Sequence, residues 1–493
     1  MSRVSDIYRP SLATLTDLYE LTMGAGYEVA GVADRTAVFA LSFRTLPFGG
    51  GYALAAGLDD ALEILAGMRF SEDDIDYLRG LRGNTGTPLF RESFLDRLAD
   101  FRFTCDVDAI PEGTVVFANE PLLRVRGPLL QAQLVESVLL TVVGFQTLVA
   151  TKAARIVEAA GGGTVLEFGL RRAQGPDGAL SAARAAYVGG VAATSNVLAG
   201  RLYGIPVGGT HAHSWVQAFD SEQEAFDAYA DAQPDNVTLL VDTYDSLEGV
   251  RHAIETGKRL RQLARKLTAI RLDSGDLAYL SIEARRMLDA AGFEDTKIVA
   301  SNDLDEHTIA SLREQGAQID TWGVGTRLDT CFDQPALGAV YKLTAICEPA
   351  GWRYPIKLSE YSAKISIPGV LGVRRFVDDA GRFRADMIYD EDMPVAGGSA
   401  TIVDPADALH MRAIEPDWTA TEILEPVMRA GSRIGPAPTL DAVRSRARQQ
   451  IGSLHPAIRR LLNPHVYPVG LELRLHERRA ALVIDHRRAQ TSS

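Results

Sequence analysis

The sequence predicts an α/β protein: a (β/α) barrel-like domain of about six to eight parallel strands, with an N-terminal α+β domain completed by later chain segments. Two observations carry this. From Thr164 onward one unit recurs: a short β-branched or apolar run, a polar cluster at its end, then a longer helix-forming stretch. Before residue 141 and after Tyr341 the chain instead shows short strand-like pieces broken by turn signals such as Ile110-Pro-Glu-Gly113 and Asn119-Glu-Pro121. The 493 residues suit two or three domains. The expected division is 1–140 for the α+β domain, 141–345 for the barrel, 346–435 returning to the first domain, and 436–493 as a helical tail.

Tyr19 lies in a helix start with Asp17 at the cap and Glu20 three residues on, the pattern of a capping box. Thr36–Arg44 alternates as a strand, and Phe101–Val107, Thr114–Phe117 and Leu122–Val125 follow as shorter ones. Residues 137–151 carry no charge. A membrane span needs about 20 apolar residues, so this run reads as a buried helix. The barrel strands are Thr164–Phe168, Ile205–Val207, Val237–Val241, Thr268–Leu272, Lys297–Ala300 and Ile319–Trp322, whose starts are 41, 32, 31, 29 and 22 residues apart. That is the spacing of a strand plus its crossover helix, which makes the sheet parallel. Tyr354–Leu358 and Val373–Val377 are strand-like, with the turn Asp378-Asp-Ala-Gly381 after them. The tail from Thr439 is helical and Arg-rich and ends in a strand candidate at Ala480–Ile484.

Composition narrows the function. Lys and Arg total 51 against 64 Asp and Glu, a net charge of −13, so no basic stripe is available for nucleic acid or an anionic membrane. The three cysteines, Cys105, Cys331 and Cys347, form no close pair, which argues against a disulfide framework or structural zinc and fits a reducing cytosol. Residues 1–10 are charged and lack the apolar run of a secretory signal.

Chemistry-bearing residues gather where the strands end, as at the C-terminal mouth of a barrel. His211 and His213 flank Ala212 and at period two would share a side, an arrangement that suits a metal. His252 and His307 fall in helix-like stretches, which leaves such a ligand set incomplete. Arg271 and Asp273 share a face of their strand; the guanidinium offers a planar fork to a carboxylate or phosphate, and the carboxylate can hold a ribose hydroxyl, magnesium or a developing cation. Ala300-Ser-Asn-Asp303 and Gly323-Val-Gly-Thr326 are turns on neighbouring late strands, where barrels bind phosphate. No P-loop sequence is present.

Taken together, Leu15-Thr-Asp-Leu-Tyr-Glu-Leu-Thr-Met23, Glu167-Phe-Gly-Leu-Arg-Arg172, Gly209-Thr-His-Ala-His-Ser-Trp215, Ile270-Arg-Leu-Asp-Ser-Gly-Asp276, Ala300-Ser-Asn-Asp303, Gly323-Val-Gly-Thr326, Leu337-Gly-Ala-Val-Tyr-Lys-Leu343 and Leu462-Asn-Pro-His-Val-Tyr-Pro468 resemble the nicotinate phosphoribosyltransferase family of type II phosphoribosyltransferases. The likeness runs from about residue 10 to about residue 470. It implies ATP-driven joining of nicotinate to 5-phosphoribosyl 1-pyrophosphate, with magnesium carried on the substrate phosphates and no metal ligand assigned. It implies His213 as the phosphorylated histidine, Arg171 at the phosphate-bearing substrate and Asp273 at the ribose. Tyr19, Phe168, Thr210 and Arg271 would hold nicotinate, with Tyr19 reaching the partner subunit's site in a cytoplasmic homodimer. Ser301, Asn302, Asp303, Gly323, Gly325 and Thr326 would cradle the 5′-phosphate, with Thr330 close to the same substrate.

The nearest rival is a nicotinamide phosphoribosyltransferase, whose amide-reading acid would be expected around Ala193-Thr-Ser-Asn196, where this chain has no carboxylate. A metal-dependent barrel hydrolase is the alternative of another class, disfavoured by the incomplete ligands.

Overall fold

The computed structural model describes residues 11–360, 365–393 and 400–491, so the sequence expectation for residues 1–10 lies outside it. The chain forms two compact units, one of Met1–Leu148 with Ala336–Ser493 and one of Val149–Pro335. The expected boundary at 141 moves because a single helix, Glu136–Ala160, runs through it. Its 18 most apolar residues reach a mean hydropathy of 1.4, enough by composition to cross a membrane, yet 72% of that window is buried in the protein.

In the Val149–Pro335 unit six parallel strands curl into an open half-barrel. Their order is Ala193–Thr194, Thr164–Glu167, Thr321–Val324, Lys297–Ala300, Leu267–Leu272, Val237–Leu240. All five pairings are parallel. The expected strand at Ile205–Val207 makes only one bridge, Val207 to Thr194, and the two-residue strand Ala193–Thr194 takes the edge. Pro206 has no N–H to extend a ladder. The last strand begins at Thr321, where Ile319 was expected.

Much of the polarity at the strand ends caps the helices that follow. Ser221, Asp245, Asp276 and Asp305 each accept a backbone N–H at the start of their helices, Glu222–Ala232, Ser246–Gln262, Leu277–Ala290 and Glu306–Glu314. Such a cap contributes about 1 kcal/mol and fixes where the strand-end turn stops. Behind the late strands Lys152 and Arg155 meet the fully buried Glu306 at 2.7 and 2.9 Å.

The other unit is built on a seven-stranded and a six-stranded sheet, together with a two-stranded ladder of Ala53–Leu54 with Val115–Val116. The seven-stranded one centres on Thr36–Phe43, paired antiparallel to both Ala339–Glu348 and Leu123–Pro128. Glu425–Arg429 pairs with Asp106–Ala109, so the later chain does complete this sheet. In the six-stranded sheet Val469–Glu472 runs between Phe383–Asp390 and Thr401–Val403, so the segment from 436 is part of the unit and not a separate helical tail. Arg375 is buried with Asp386; its Nε donates at 3.0 Å and its NH2 reaches the Val115 carbonyl at 2.8 Å, while the Tyr467 hydroxyl donates to Asp386 at 2.9 Å.

Several expected pieces shift. The strand expected at Phe101–Val107 forms at Asp106–Ala109, and Gly351–Arg353 pairs where Tyr354–Leu358 was expected. Ala480–Ile484 lies within the helix Leu473–Thr491, since Ala and Leu flanked by Arg and Glu favour helix. The helix Leu18–Val29 starts after Asp17 without a side-chain cap. Glu20, fully buried, instead accepts hydrogen bonds from Thr16 and Ser137, so tertiary bonding replaces the local capping box.

Gly249 lets its helix close onto the preceding strand: a methyl there would overlap the Val241 carbonyl. Gly249→Ala is expected to cost about 1–3 kcal/mol from overpacking. A urea midpoint unchanged by the substitution would refute this close approach.

Candidate active site

The parallel register builds the site. Ala300 pairs with Leu272, so Ser301 emerges beside Asp273, and its hydroxyl donates to that carboxylate. Leu240 pairs with Arg271, which brings Asp242 alongside: its Oδ2 accepts the Asp273 N–H at 3.0 Å and the Ser274 hydroxyl at 2.6 Å. The other oxygen of Asp242 is buried with no hydrogen-bond partner among the described residues. On the next residue the Thr243 hydroxyl lies 3.2 Å from Nδ1 of His213, whose Nε2 is 3.8 Å from Asp273. Three strand ends thus converge on Asp273. Asp242 and Thr243 were not among the sequence-selected residues; the only signal was the polar run Asp242-Thr-Tyr-Asp245 at a strand end.

Arg271 donates through NH1 to the Thr210 hydroxyl at 2.5 Å, and its buried Nε has no partner among the described residues. Burial lowers the guanidinium's hold on its proton, Asp273 and Asp242 oppose that, and Arg171 adds to it. Arg171 thereby stands within electrostatic reach, on the short turn Leu170–Arg172 after the Glu167 strand.

His211 and His213 do not act as a pair. His213 opens a short helix, whereas His211 is buried and its Nε2 accepts the Leu240 N–H at 3.1 Å, linking the segment after Val207 to the far edge strand. The proton then sits on Nδ1, which lies 3.4 Å from the Ala212 carbonyl. Burial pulls the imidazole down to about 4, with Arg271 and His213 adding to the shift and the Ala212 bond opposing it. The ring packs edge-on against Tyr229 at 4.7 Å. With Nε2 committed to backbone, His211 cannot also ligate a metal through that atom. Among the described residues no group of three or more His, Cys, Asp or Glu could hold a metal ion.

Phe168 reaches the site from the Thr164–Glu167 strand, and glycines make room for it. A Cβ on Gly323 would meet the Phe168 ring at 2.7 Å and Ser301 at 3.3 Å, and one on Gly325 would meet the Phe168 carbonyl at 2.9 Å. Of the two glycines expected in a phosphate cradle, Gly323 therefore seats the aromatic ring and Gly325 the backbone that carries it. Thr326 begins the turn Thr326–Asp329, and the Thr330 hydroxyl donates back to the Thr326 carbonyl at 2.6 Å, so it braces this turn. Asn302 carries φ 114°, a left-handed conformation uncommon outside glycine. Asn302 and Asp303 line a hollow of about 290 Å³ with Gly275, Asp276 and Thr308. Tyr19 belongs to the other unit, 45% exposed near its helix start, and burial with Glu136 and Glu20 nearby raises its phenol to about 12.

Because His211 is neutral when folded but titrates near 6.5 when unfolded, stability is complete above that value and is lost as pH falls from about 6.5 toward 4. The loss is expected to reach about 2 kcal/mol after allowing for partial solvent access. His211→Gln, which keeps an acceptor, should flatten this limb; identical thermal profiles between pH 7 and 5 would show that His211 does not carry it.

Comparison with known proteins supports the assembly of these motifs. A model of the nicotinate phosphoribosyltransferase N-terminal domain matches residues 14–144, the family model matches 164–353, and the C-terminal domain model matches 372–479. The nicotinate phosphoribosyltransferase of Bacillus subtilis is 42% identical over 475 residues, covering 94% of this chain and 93% of that protein. A nicotinate phosphoribosyltransferase of Mycobacterium tuberculosis is 44% identical over 465 residues, covering 94% and 92%. The crystal structure of human nicotinic acid phosphoribosyltransferase superposes with a TM-score of 0.83 at 33% identity, over 95% of this chain and 99% of that one. From strand-end geometry to full-length similarity, the observations agree that the chain belongs to the nicotinate phosphoribosyltransferase family.

Proposed function

We propose that the protein joins nicotinate to 5-phosphoribosyl 1-pyrophosphate, giving nicotinate mononucleotide and pyrophosphate, and that ATP cleavage through a phosphohistidine at His213 drives the reaction forward. The observation that carries the substrate reading is Arg271, held by Thr210 with its buried Nε left unpartnered. A planar cation with a free donor suits the nicotinate carboxylate. The Ala193–Asn196 stretch supports the acid over the amide: the Thr194 hydroxyl is committed to Glu167 and the Asn196 side chain caps the Ala199 N–H. The half-buried Phe168 offers a flat face to the pyridine ring.

In the transfer step the pyridine nitrogen bonds to the anomeric carbon as the bond to the pyrophosphate oxygen breaks, and both electrons leave with pyrophosphate. Positive charge grows on the ribose, and the Asp273 carboxylate, oriented by Ser301 and by the Asp242 contact to its own N–H, stabilises it. Ser301, Asn302, Gly325 and Thr326 stand at the phosphate end of the substrate, with Arg171 as counter-charge. Thr243 engages Nδ1 of His213, leaving Nε2 to accept the γ-phosphoryl group of ATP as the bond to ADP breaks. The carboxylates Asp242 and Asp273 are neighbours, and one Asp242 oxygen is free, which suits magnesium held mainly by substrate phosphates. Asp242 would help to hold such an ion, which would supply charge neutralisation for the leaving pyrophosphate.

The protein is further read as a cytoplasmic homodimer in which Tyr19 of one subunit reaches the partner's site. The exposure of Leu15, Leu18, Tyr19 and Met23 along one stretch supports the contact, and three unpaired cysteines suit a reducing compartment.

The decisive assay is mononucleotide formation from nicotinate or nicotinamide with magnesium and 5-phosphoribosyl 1-pyrophosphate, each with and without ATP. Product from nicotinate, increased by ATP, is expected; product only from nicotinamide would overturn the Arg271 reading. Arg271→Ala is expected to raise the KM for nicotinate by about tenfold or more, the value of a charged hydrogen bond, with little change in the KM for the sugar phosphate. Equal increases in both would place Arg271 elsewhere. His213→Ala is expected to abolish ATP cleavage while slow ATP-independent transfer persists, and retained ATP cleavage would remove His213 from the coupling step.

A further inference from the structure

Behind Phe168 lies a second pair of acids that the transfer step does not use. Glu167 and Asp329 are both 0% exposed. Glu167 accepts the Gly169 N–H through one oxygen and the Thr194 hydroxyl through the other. Among the described residues neither oxygen of Asp329 meets an N–H or O–H donor from any other group. The Asp329 carboxyl lies directly under Gly169, where any Cβ would overlap it.

Two buried carboxylates side by side cannot both ionise without a compensating cation. Among the described residues no third acid, His or Cys joins them to make a metal-binding group. A proton shared between them solves the problem, and the donors already placed on Glu167 decide which partner carries it. Glu167 receives N–H and O–H hydrogen bonds that favour its carboxylate, so Asp329 is the acid that stays protonated. Burial, then Glu167, pushes Asp329 well up with nothing opposing; burial also raises Glu167, but there the Thr194 hydroxyl, the Gly169 N–H and Asp329 work against the rise. The packed elements also carry Arg171 and Arg172 on the following turn, and Asp177, Arg184 and Tyr187 on the helix Gly175–Val188. The charge that acts on Asp329 is that of Glu167, and the buried Cys331 feels Asp329 in turn.

We propose that Asp329 is a positioning residue for Phe168: its carboxyl group keeps a proton and donates it to Glu167, clasping the ends of three strands behind the ring. Glu167 ends one strand, Thr194 ends its neighbour on one side, and Asp329 follows the Thr321–Val324 strand on the other. The residue between Glu167 and the clasped Gly169 is Phe168, whose ring the same clasp holds over Gly323. The inference rests on the reading of Phe168 as the ring that stacks on the substrate.

Two variants and two readouts test it. Asp329→Asn keeps a donor to Glu167 but cannot titrate. Its KM for nicotinate is expected to stay within about twofold of the parent, the neutral outcome of an isosteric donor swap. Asp329→Ala removes the donor and is expected to raise the KM for nicotinate about tenfold, equal to about 1.4 kcal/mol, while the KM for 5-phosphoribosyl 1-pyrophosphate stays within about twofold. Equal changes in both KM values, or none, would overturn the positioning role.

The second readout needs no substrate. An ordinary aspartate in the unfolded chain loses its proton near pH 4, whereas the folded protein retains it, so the parent loses stability as pH rises above about 4 through neutral values. Asp329→Asn escapes that loss, and its thermal midpoint relative to the parent should climb by about 3 °C or more between pH 5 and pH 8. A constant difference across that range would show that Asp329 is ionised and there is no shared proton. Should the parent fail to turn over nicotinate, the catalytic reading and the positioning role fall together, and the thermal comparison still decides whether the clasp exists.

Discussion

The parallel register between Leu267–Leu272 and Lys297–Ala300 is the constraint on which the site depends. It sets Ser301 against Asp273, while the neighbouring pairing with Val237–Leu240 sets Asp242 beneath the same residue. A slip of one residue would turn Asp273 to the opposite face and dismantle the contacts with Asp242, Ser301 and His213 at once. The Asp273 carboxylate is thus oriented by the backbone of the half-barrel, and helix caps such as Asp276 and Asp305 stop the adjoining turns from rearranging.

Charges of both signs crowd the strand ends. Arg271 sits within electrostatic reach of a second cation, Arg171, and of two acids, Asp242 and Asp273. His213 lies 3.8 Å from Asp273, whereas His211, two positions earlier, is withdrawn into the fold as a neutral acceptor. Two histidines in one short motif are thus held differently, His211 by backbone at both nitrogens and His213 beside the Thr243 and Asp273 side chains.

Much of this was legible in the sequence. The runs from Thr164, Val237, Thr268 and Lys297 were long and β-branched enough to read as strands, and their spacing gave the parallel order. The edge strand Ala193–Thr194 has two residues and no periodicity to detect, while Pro206 disguised a bridge as a strand. The capping box at Asp17 failed because Ser137, distant in sequence, draws Glu20 away. Gly323 and Gly325 looked like anion-binding glycines, and only the folded chain shows the Phe168 ring and carbonyl against them. In each case the missing information is a contact between residues far apart in the chain, which local pattern does not encode.

The discontinuity of the first unit has a consequence for how the chain is made. Its central strand, Thr36–Phe43, lies between Leu123–Pro128 and Ala339–Glu348, and the Thr344 hydroxyl reaches the Val38 carbonyl across 306 residues of sequence. During synthesis one edge of that strand stays unpaired until the whole Val149–Pro335 unit has left the ribosome, whereas that unit is continuous and needs nothing made after it to complete its sheet. The half-barrel is therefore free to fold first, and the nascent N-terminal segment, with a long apolar strand awaiting its partner, is the part that needs protection from aggregation.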